Sequence, residues 1–370
     1  MHFSALESEW AILRRFLPEG WQELARTHGA LRRTREIKDA ETLLLLILLH
    51  VAAGLSLRQT VVRAKNAGLA DITDVALLKR LRASELWLRA MTEQMLKKTR
   101  FRQELNPQWG NRRVRVMDAT TVQEPGATGT SWRVHYGLQL PSLECDFFEV
   151  TDVTGGETFK RLPVQPRDLI LGDRGYAHPE GVAHIVRHGG DVVVRMKYKH
   201  FPLRERNGTK FELLRNLRTL HEYEPGEWDV EFDAPNGLIA ARVCAVRKSP
   251  EAAQRAKNQA MKAAKKKGRS VAPDSLQAAE YVFVLTTLPK DEASPENVLE
   301  LYRARWQIEL AFKRLKSLLQ AGHVPKYDPA SARAWIQAKM LTALLIEQLT
   351  ESASFFSPWG FPLLPAQPMA

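Results

Sequence analysis

Residues 301–319 read LYRARWQIELAFKRLKSLL, and this stretch places two stripes of different chemistry on one predicted helix. At about 100° of rotation per residue, a polar stripe is formed by Tyr302, Arg305, Glu309 and Lys316, with Lys313 on the same side. An apolar stripe that can dock the helix on a core is formed by Leu301, Ile308, Phe312, Leu315 and Leu319. The pattern predicts an amphipathic helix that holds one carboxylate among positive side chains. From geometry alone, an ordinary surface pair of Arg305 and Glu309 explains the polar stripe equally well.

The spacing Tyr-x2-Arg-x3-Glu-x6-Lys resembles the Y-R-E-K signature of bacterial insertion-sequence transposases of the IS-four group, within the DDE superfamily, and all four positions match without a gap. The resemblance implies that Glu309 is the third of three metal-binding carboxylates. It also implies that Tyr302, Arg305 and Lys316 hold the DNA of the transposon end, and we include Lys313 because it shares their stripe. Two aspartates are then expected upstream, each at the end of a strand.

Two aspartates meet this expectation. Asp118 follows the alternating valines of RVRVM, which predict a strand that ends at the carboxylate. Asp173 follows the apolar run DLILG and begins a D-x-G-Y turn. Each aspartate taken alone could equally be a turn residue whose side chain bonds its own backbone. The order Asp, Asp, Glu in the contexts strand, strand and helix favours a catalytic set.

Three carboxylates suit phosphodiester chemistry. Cleavage and strand transfer are in-line displacements, and two divalent ions about 3.5 to 4 Å apart can stabilise both the attacking and the leaving oxygen. The resemblance therefore implies that Asp118, Asp173 and Glu309 hold two Mg²⁺ ions, with Mn²⁺ as a substitute, because hard ions prefer oxygen ligands. Water and then the freed 3′ hydroxyl would attack directly. Zinc is disfavoured, since Cys145 and Cys244 are the only cysteines and no paired Cys or His spacing is present.

The composition is typical of a nucleic-acid-binding protein. The chain has 370 residues, with 54 Lys plus Arg against 42 Asp plus Glu, and a formal net charge of +12. Such an excess attracts phosphate backbones, although acidic membranes attract it too. The longest apolar run, residues 42–53, is too short to span a bilayer, so we expect a buried helix there and no membrane partner. Two distant cysteines and no signal peptide predict a reducing compartment, and the resemblance implies that this is the bacterial cytoplasm, with the protein associated with the nucleoid.

Residues 1–105 show helical periods and no strand pattern. Ser56 is a suitable N-cap for one helix, and a second is predicted over residues 73–82 after a turn at Gly68. Two short basic helices are typical of a helix-turn-helix reader of DNA, but such pairs are also common in structural bundles. We predict an all-helical N-terminal DNA-binding domain, because the resemblance places end recognition in this segment.

From about residue 110 the period changes to two, which predicts an α/β fold. Strands are expected over residues 113–118, 132–140, 146–152, 168–172 and 191–196, with a crossover helix over 179–188. This order matches the ribonuclease-H-like mixed sheet that the resembled family uses. The first part of the catalytic domain is therefore assigned to residues 106–196 and its closing part to residues 281–325.

A β-rich insertion is expected over residues 197–280. Trp228, Val230 and Phe232 alternate with acids, and Asn236-Gly237 is a hairpin turn signal. A helix-prone basic run over residues 251–269 follows, and such runs are either solvated or in contact with phosphate. Residues 326–370 are assigned to a C-terminal helix and a proline-rich tail.

One position departs from the pattern of the best-known family member, in which a tryptophan stacks on a flipped base. Counting back from Tyr302, the aligned residue here is Val282, flanked by Tyr281 and Phe283. The sequence therefore leaves open whether Tyr281 takes that role or base flipping is absent.

The hypothesis from sequence is a DNA transposase that cleaves at transposon ends and transfers the strands into target DNA. Its partners would be double-stranded DNA, both the terminal inverted repeats and the target, and a second copy of the chain, because such reactions pair two DNA ends. A stand-alone nuclease on the same fold, which cuts without joining, is one alternative. A non-catalytic DNA-binding protein derived from a transposase is the other.

Overall fold

The computed structural model describes residues 10–354 apart from 33, 102–108, 110, 125, 127–130, 141, 143, 236, 307, 310–323 and 326–327. The first part of the chain is helical, as expected. Its helices are α1 (Trp21–Thr27), α2 (Ala40–Val51), α3 (Leu57–Asn66), α4 (Asp74–Ala83) and α5 (Glu85–Phe101). The predicted cap is confirmed, since the Ser56 side chain accepts a hydrogen bond from the Gln59 N–H while the Gln59 side chain accepts one from the Ser56 N–H.

A long C-terminal helix, α11 (Pro329–Ser354), packs against α5, α4 and α2. Ion pairs fasten its first turns to the N-terminal helices: Arg82 lies 2.8 Å from Asp328, and Arg333 lies 2.8 Å from Glu85. The apolar run expected to be a buried helix is α2, on which Leu43, Leu44 and Leu46 are fully buried. The described N-terminal helices and α11 therefore form one helical layer.

Eight strands form one mixed sheet with the order β3-β2-β1-β4-β5-β8-β7-β6. The strands are β1 (Arg113–Val122), β2 (Trp132–Leu140), β3 (Cys145–Asp152), β4 (Asp168–Gly172), β5 (Asp191–Arg195), β6 (Pro225–Ala234), β7 (Gly237–Arg247) and β8 (Tyr281–Thr286). β1, β4 and β5 are mutually parallel, with α6 (Pro179–Arg187) crossing between the last two, and all other neighbours are antiparallel. The half from β3 to β5 is the expected ribonuclease-H-like layout.

The expected end of the first strand is wrong. β1 does not stop at Asp118 but continues to Val122, and Asp118 pairs with Tyr136 in the middle of the ladder with β2. The added residues include Thr120, Thr121 and Val122, whose branched side chains suit a pleated strand. Asp118 therefore projects from the face of a strand, where its position is fixed by pairing with β2 and by the pairing of the preceding Met117 with β4.

The segment between β5 and β8 contains the predicted hairpin, β6 with β7, and three helices, α7 (Leu213–Leu217), α8 (Pro250–Lys265) and α9 (Pro273–Ala278). The basic run is thus mostly helical. Asn236 of the predicted turn lies outside the described residues, whereas Gly237 has a φ of 118°, which favours glycine. Because β8 pairs with both β5 and β7, the hairpin extends the main sheet rather than forming a separate one.

Apolar side chains cover both faces of this sheet. On one face Val114 and Val116 of β1 join the core made by the N-terminal helices, α11 and α10 (Pro295–Arg303). On the other face Ile170 of β4 packs in a cluster with α6 and with Phe159 of a short 3-10 turn. In the described part of the chain, no helix has the combined length and apolar character that crossing a bilayer requires.

Buried ion pairs set the position of β1 in the sheet. Arg115 is fully buried and binds Asp146 of β3 through two nitrogens, at 2.5 and 2.9 Å. Arg113 binds Asp168 of β4 in the same two-nitrogen manner, at 2.7 and 2.6 Å. Such paired hydrogen bonds have a fixed geometry, so they hold the strand that carries Asp118.

Candidate active site

Sheet register brings Asp118 and Asp173 together. In the parallel pair of β1 and β4, Met117 lies opposite Gly172, and each aspartate is the next residue in its chain. The Asp118 side chain is 16% exposed, and its charge interacts with that of Asp173. Two carboxylates predicted from separate stretches of sequence therefore face the same edge of the sheet.

Each aspartate uses one oxygen for its own backbone and leaves the other for the site. Asp173 Oδ1 accepts the Gly175 N–H at 2.7 Å, and Asp118 Oδ1 accepts the Ala119 N–H at 2.8 Å. The turn function considered for Asp173 is thus present alongside a position in an acidic cluster. Asp118 Oδ2 lies 3.5 Å from Arg305 Nη1, and among the described residues no donor contacts Asp173 Oδ2.

Asp118 is held in surroundings that disfavour its charge. Burial raises the pKa of Asp118 to about 7, and the like charges of Asp173 and Glu157 add to this, while the Ala119 N–H and Arg305 act against it. A carboxyl group whose pKa is raised by burial and by like charge is frequent in active sites. The cluster therefore has a deficit of positive charge.

The helix proposed for the polar stripe is interrupted. α10 ends at Arg303, Ala304 and Arg305 form a turn, and helical structure resumes at Trp306 and includes Glu309. The turn is made by hydrogen bonds between residues three apart in sequence, such as the one from the Arg305 N–H to the Tyr302 carbonyl at 3.2 Å. Such tightening is characteristic of 3-10 geometry. The expectation of one continuous helix from Leu301 is wrong at this point.

Despite the turn, three residues of the stripe stay together. Arg305 Nη2 lies 2.6 Å from Glu309 Oε1, and the Arg305 guanidinium lies 5.9 Å from the centre of the Tyr302 ring. Arg305 therefore connects Glu309 to Asp118. Burial lowers the pKa of Arg305, but Tyr302 and the two carboxylates outweigh it and raise the pKa. Lys313 and Lys316 lie outside the described residues.

Glu157 is a fourth carboxylate at this edge, and it was not predicted. It lies in the loop after β3, and its Oε2 lies 1.6 Å from the point that a Cβ on Gly175 would occupy. Burial and then the charge of Asp173 raise the pKa of Glu157. Sequence reasoning could not find it, because only the fold brings the Gly155-Gly156-Glu157 loop against the D-x-G-Y turn.

A buried hydroxyl completes the cluster. Tyr176 of that turn is fully buried, and its hydroxyl has no hydrogen-bond partner in the described part of the protein. Burial, followed by the charges of Asp118, Glu157 and Asp173, raises its pKa. Carboxylate oxygens and a hydroxyl form a hard-oxygen donor set, which fits a divalent cation.

The acidic side chains do not yet converge as ligands do. Within the described ranges, no three Asp, Glu, His or Cys side chains are close enough together to hold one ion. Glu309 is responsible for part of this separation, because its side chain is 61% exposed and is bound to Arg305. Like charges also repel, and this keeps neighbouring carboxylates apart when no cation lies between them.

Positive side chains line the same edge, and these too were not predicted. Arg174 follows Asp173, Arg195 ends β5, and Lys248 follows β7. Burial lowers the pKa of Lys248 to about 8, and the charges of Arg195 and Arg174 contribute. Burial and the charge of Arg195 likewise lower the pKa of Arg174. Cations that crowd one another in this way favour an anionic ligand.

The position considered for base stacking lies inside the sheet. Tyr281 and Phe283 of β8 are buried, with exposures of 3% and 5%, and both belong to the core on the face of the sheet that α6 covers. Arg247, which pairs with Tyr281 across the strands, lies 6.0 Å from the centre of its ring. Neither aromatic side chain is available at the surface for a base to stack on.

A ribonuclease-H-like sheet with paired carboxylates on adjacent strands is an architecture of enzymes that act on phosphodiester bonds. The family model described as the transposase DDE domain matches residues 148–346, a range that contains Asp173 and Glu309 and begins after Asp118.

Relatives similar along nearly the whole chain are insertion-sequence transposases. The putative transposase InsL for insertion sequence element IS186A of Escherichia coli (strain K12) is 36% identical over 347 residues, which are 92% of this chain and 93% of the relative. The transposase for insertion sequence element IS421 of Escherichia coli is 36% identical over 348 residues, with the same coverage. The transposase for IS231C of Bacillus thuringiensis subsp. berliner is 25% identical over 242 residues, 57% of this chain and 51% of the relative.

Among solved structures, the piggyBac transposase synaptic complex with hairpin DNA has a TM-score of 0.47 and 9% identity, covering 96% of this chain and 75% of that chain. The chain belongs to the family of bacterial insertion-sequence transposases with a DDE domain. Members of this family are enzymes that cleave and transfer DNA strands with the aid of divalent metal ions.

Proposed function

We propose that Asp118, Asp173 and Glu309 are the three carboxylates that hold two Mg²⁺ ions, with Mn²⁺ as a substitute, in a reaction that cuts transposon ends and joins them to target DNA. The observation that carries the proposal is the register of β1 and β4, which sets the two aspartates side by side. The raised pKa of Asp118, about 7, supports it, because burial and the like charges of Asp173 and Glu157 outweigh the attraction of Arg305 and the Ala119 N–H.

Glu309 is the least direct part of the proposal. In the present arrangement Arg305 lies between Glu309 and Asp118, at 2.6 and 3.5 Å, and takes the place of a cation between two carboxylates. Release of Glu309 from Arg305 would free one carboxylate for the ions and one guanidinium for DNA. A single side-chain rearrangement therefore serves both parts of the site.

The chemistry assigned to the ions is stabilisation of negative charge on the attacking and leaving oxygens. The protein's own part is to position DNA. Arg305 contacts Asp118 and lies over the Tyr302 ring, so a phosphate held by the guanidinium would lie next to the acidic pair. Water attacks first, and the 3′ hydroxyl that it frees then attacks the target strand, with no covalent bond to the protein.

DNA is proposed to contact Tyr302, Arg305, Lys313 and Lys316 within the Y-R-E-K pattern. The crowded cations of the same edge, Arg174, Arg195 and Lys248, extend this positive surface. The ligand would be double-stranded DNA, first the terminal inverted repeats of the element and then the target. Because two ends must be joined, the assembly on DNA would be a homodimer.

The N-terminal helices, residues 1–105, are proposed to contribute to end recognition. Part of the charge on α3 is already compensated, since Arg58 lies 3.4 Å from Asp74 and Lys65 lies 2.8 Å from Asp71. Both pairs are exposed, and exposed pairs contribute little and exchange easily with solvent. These cations therefore remain accessible to phosphates.

A combined binding, cleavage and joining assay tests this function. Labelled duplexes that carry the element's terminal repeats are incubated with Mg²⁺ and a second duplex. We expect Asp118→Asn, Asp173→Asn and Glu309→Gln to bind ends with normal affinity but neither cut nor join, because their carboxylates act on charge that develops during reaction. Glu180→Gln, an exposed carboxylate on α6, is the control. Retained cleavage by Asp173→Asn, or cutting without joining by the unaltered protein, would contradict the proposal.

A further inference from the structure

The carboxylate of Glu157 lies against the backbone of the turn that carries Asp173. Its Oε2 lies 1.6 Å from the position of a Cβ at residue 175, and Asp173 Oδ1 lies 3.0 Å from the same point. The two oxygens can therefore be no farther apart than the sum of these distances. Glycine at residue 175 makes this approach possible, since any larger residue would displace the carboxylate.

Nothing in the described residues compensates this charge at close range. Glu157 forms no hydrogen bond or ion pair with them, and the charges of Arg133, Lys197 and His178 act on it only from longer range. Asp173 acts on it as a like charge. A half-buried carboxylate beside a second carboxylate costs free energy unless a cation joins them.

The unpartnered hydroxyl of Tyr176 is independent evidence that something binds here. It is fully buried, and the charges of Glu157, Asp173 and Asp118 all act on it. Buried hydroxyl groups nearly always have a partner, and an isolated one indicates an ordered water or an ion that completes the site. A buried hydroxyl without a partner among the described residues therefore lies where the charges of all three carboxylates act on it.

We infer that Glu157 is a further metal-binding carboxylate, which shares a divalent cation with Asp173. The inference rests on the proposed function but adds to it a ligand from outside the Asp, Asp, Glu set. It also gives an order to the events, because Glu157 is in place while Glu309 is still bound to Arg305. Asp173 and Glu157 would hold the first ion, and Glu309 would join them once DNA binds Arg305.

Metal binding by the full chain without DNA tests this inference. Mn²⁺ is titrated into metal-free protein, and free Mn²⁺ is followed by electron paramagnetic resonance. We expect Glu157→Gln and Asp173→Asn each to raise the Kd for Mn²⁺ by about 10- to 100-fold, the range that even outer-shell partners of a metal show. Glu309→Gln should change it much less, and Glu180→Gln not at all.

Thermal unfolding separates a ligand from a structural residue. In EDTA, Glu157→Gln should melt at the same temperature as the unaltered protein or higher, because it removes a repulsion. Addition of Mn²⁺ should raise the melting temperature of Glu157→Gln less than that of the unaltered protein. Lower stability of Glu157→Gln in EDTA with normal Mn²⁺ affinity would overturn the inference. If Asp173→Asn also binds Mn²⁺ normally, the proposed site itself is wrong, so the two failures are distinguishable.

Gly175→Ala supplies a second test that keeps the carboxyl group. The added Cβ would occupy the place of Glu157 Oε2, so it should push the carboxylate away and weaken Mn²⁺ binding as Glu157→Gln does. In the double variant the two losses should not add, because both act on one contact. Unchanged Mn²⁺ affinity in Gly175→Ala would contradict the placement of Glu157.

Discussion

Replacement of Asp118 by Asn should stabilise the metal-free protein, and by an amount that depends on pH. The pKa of Asp118 is raised from 3.8 to about 7, mainly by burial. The folded state therefore prefers the protonated carboxyl group. Once the unfolded carboxyl group ionises, from about pH 4 upward, folding carries a cost, which grows until the folded group also ionises near pH 7 and is constant above that.

The size of the effect follows from the shift. One pKa unit corresponds to about 1.4 kcal/mol, so a shift of about three units gives a cost of up to about 4 kcal/mol at pH 8. At pH 5, about one unit above the unfolded pKa, the cost is only about 2 kcal/mol. The attraction of Arg305 is already included in the net shift and needs no separate correction. Asn, which has no charge, should escape the cost at both pH values.

Urea unfolding in EDTA, followed by tryptophan fluorescence at pH 5 and pH 8, measures this difference. The midpoint of Asp118→Asn should exceed that of the unaltered protein at both pH values, and by more at pH 8. Asp152→Asn is the control with the opposite sign, because hydrogen bonds from Thr154 lower the pKa of Asp152. Mg²⁺ should reverse the order by stabilising the protein that has Asp118 more than the variant. Equal dependence on pH in Asp118→Asn and the unaltered protein would refute the reasoning.

Three further predictions concern the surroundings of Asp118. Arg305→Ala should weaken binding of end DNA and lower the slope of log K against log salt concentration by about one unit. Arg303→Ala removes an equal charge from the exposed side of α10 and should do neither. Equal slopes in the two variants would indicate that net charge alone is responsible. Glu309→Gln should lose cleavage without any loss of DNA affinity in the same titrations, and retained cleavage would exclude Glu309 from the catalytic set. Arg115→Met should lower the free energy of unfolding by about 3 to 5 kcal/mol, since it takes a buried cation from Asp146, while Arg58→Met at the surface should have almost no effect in the same calorimetric melts.

The sequence predicted the strands well because each carries its own signal. The alternating valines before Asp118 and the apolar run before Asp173 are side chains that a sheet can bury. Both strands are therefore expected in the buried middle of the sheet, where they lie beside each other. What the sequence lacked was a signal for where β1 ends. Thr120 and Thr121 favour a strand as much as a loop, and their pairing with β2 decides between the two. A strand end is set by the partner strand, which lies elsewhere in the chain.

The interruption near Arg305 was also beyond the reach of periodicity. No proline or glycine marks the turn at Ala304 and Arg305, so the pattern reads as one helix. The position of Arg305 is decided by contacts from outside the helix, namely Asp118, and by Glu309 one turn on. Glu157 was missed for the same physical reason, since its neighbours Asp173 and Gly175 become neighbours only when β3 and β4 take their places.

The contrast along β1 shows how the fold separates support from chemistry. Arg113 and Arg115 are buried charges that are fully matched, each by a carboxylate held through two nitrogens. Three residues after Arg115, Asp118 is a partly buried charge whose neighbours are mostly of its own sign. Within three residues of β1, the charge on the strand thus changes from one that is fully paired to one that is only partly compensated. Since carboxyl groups with a pKa raised by burial and like charge are concentrated at functional sites, this change in compensation indicates the site independently of any sequence motif.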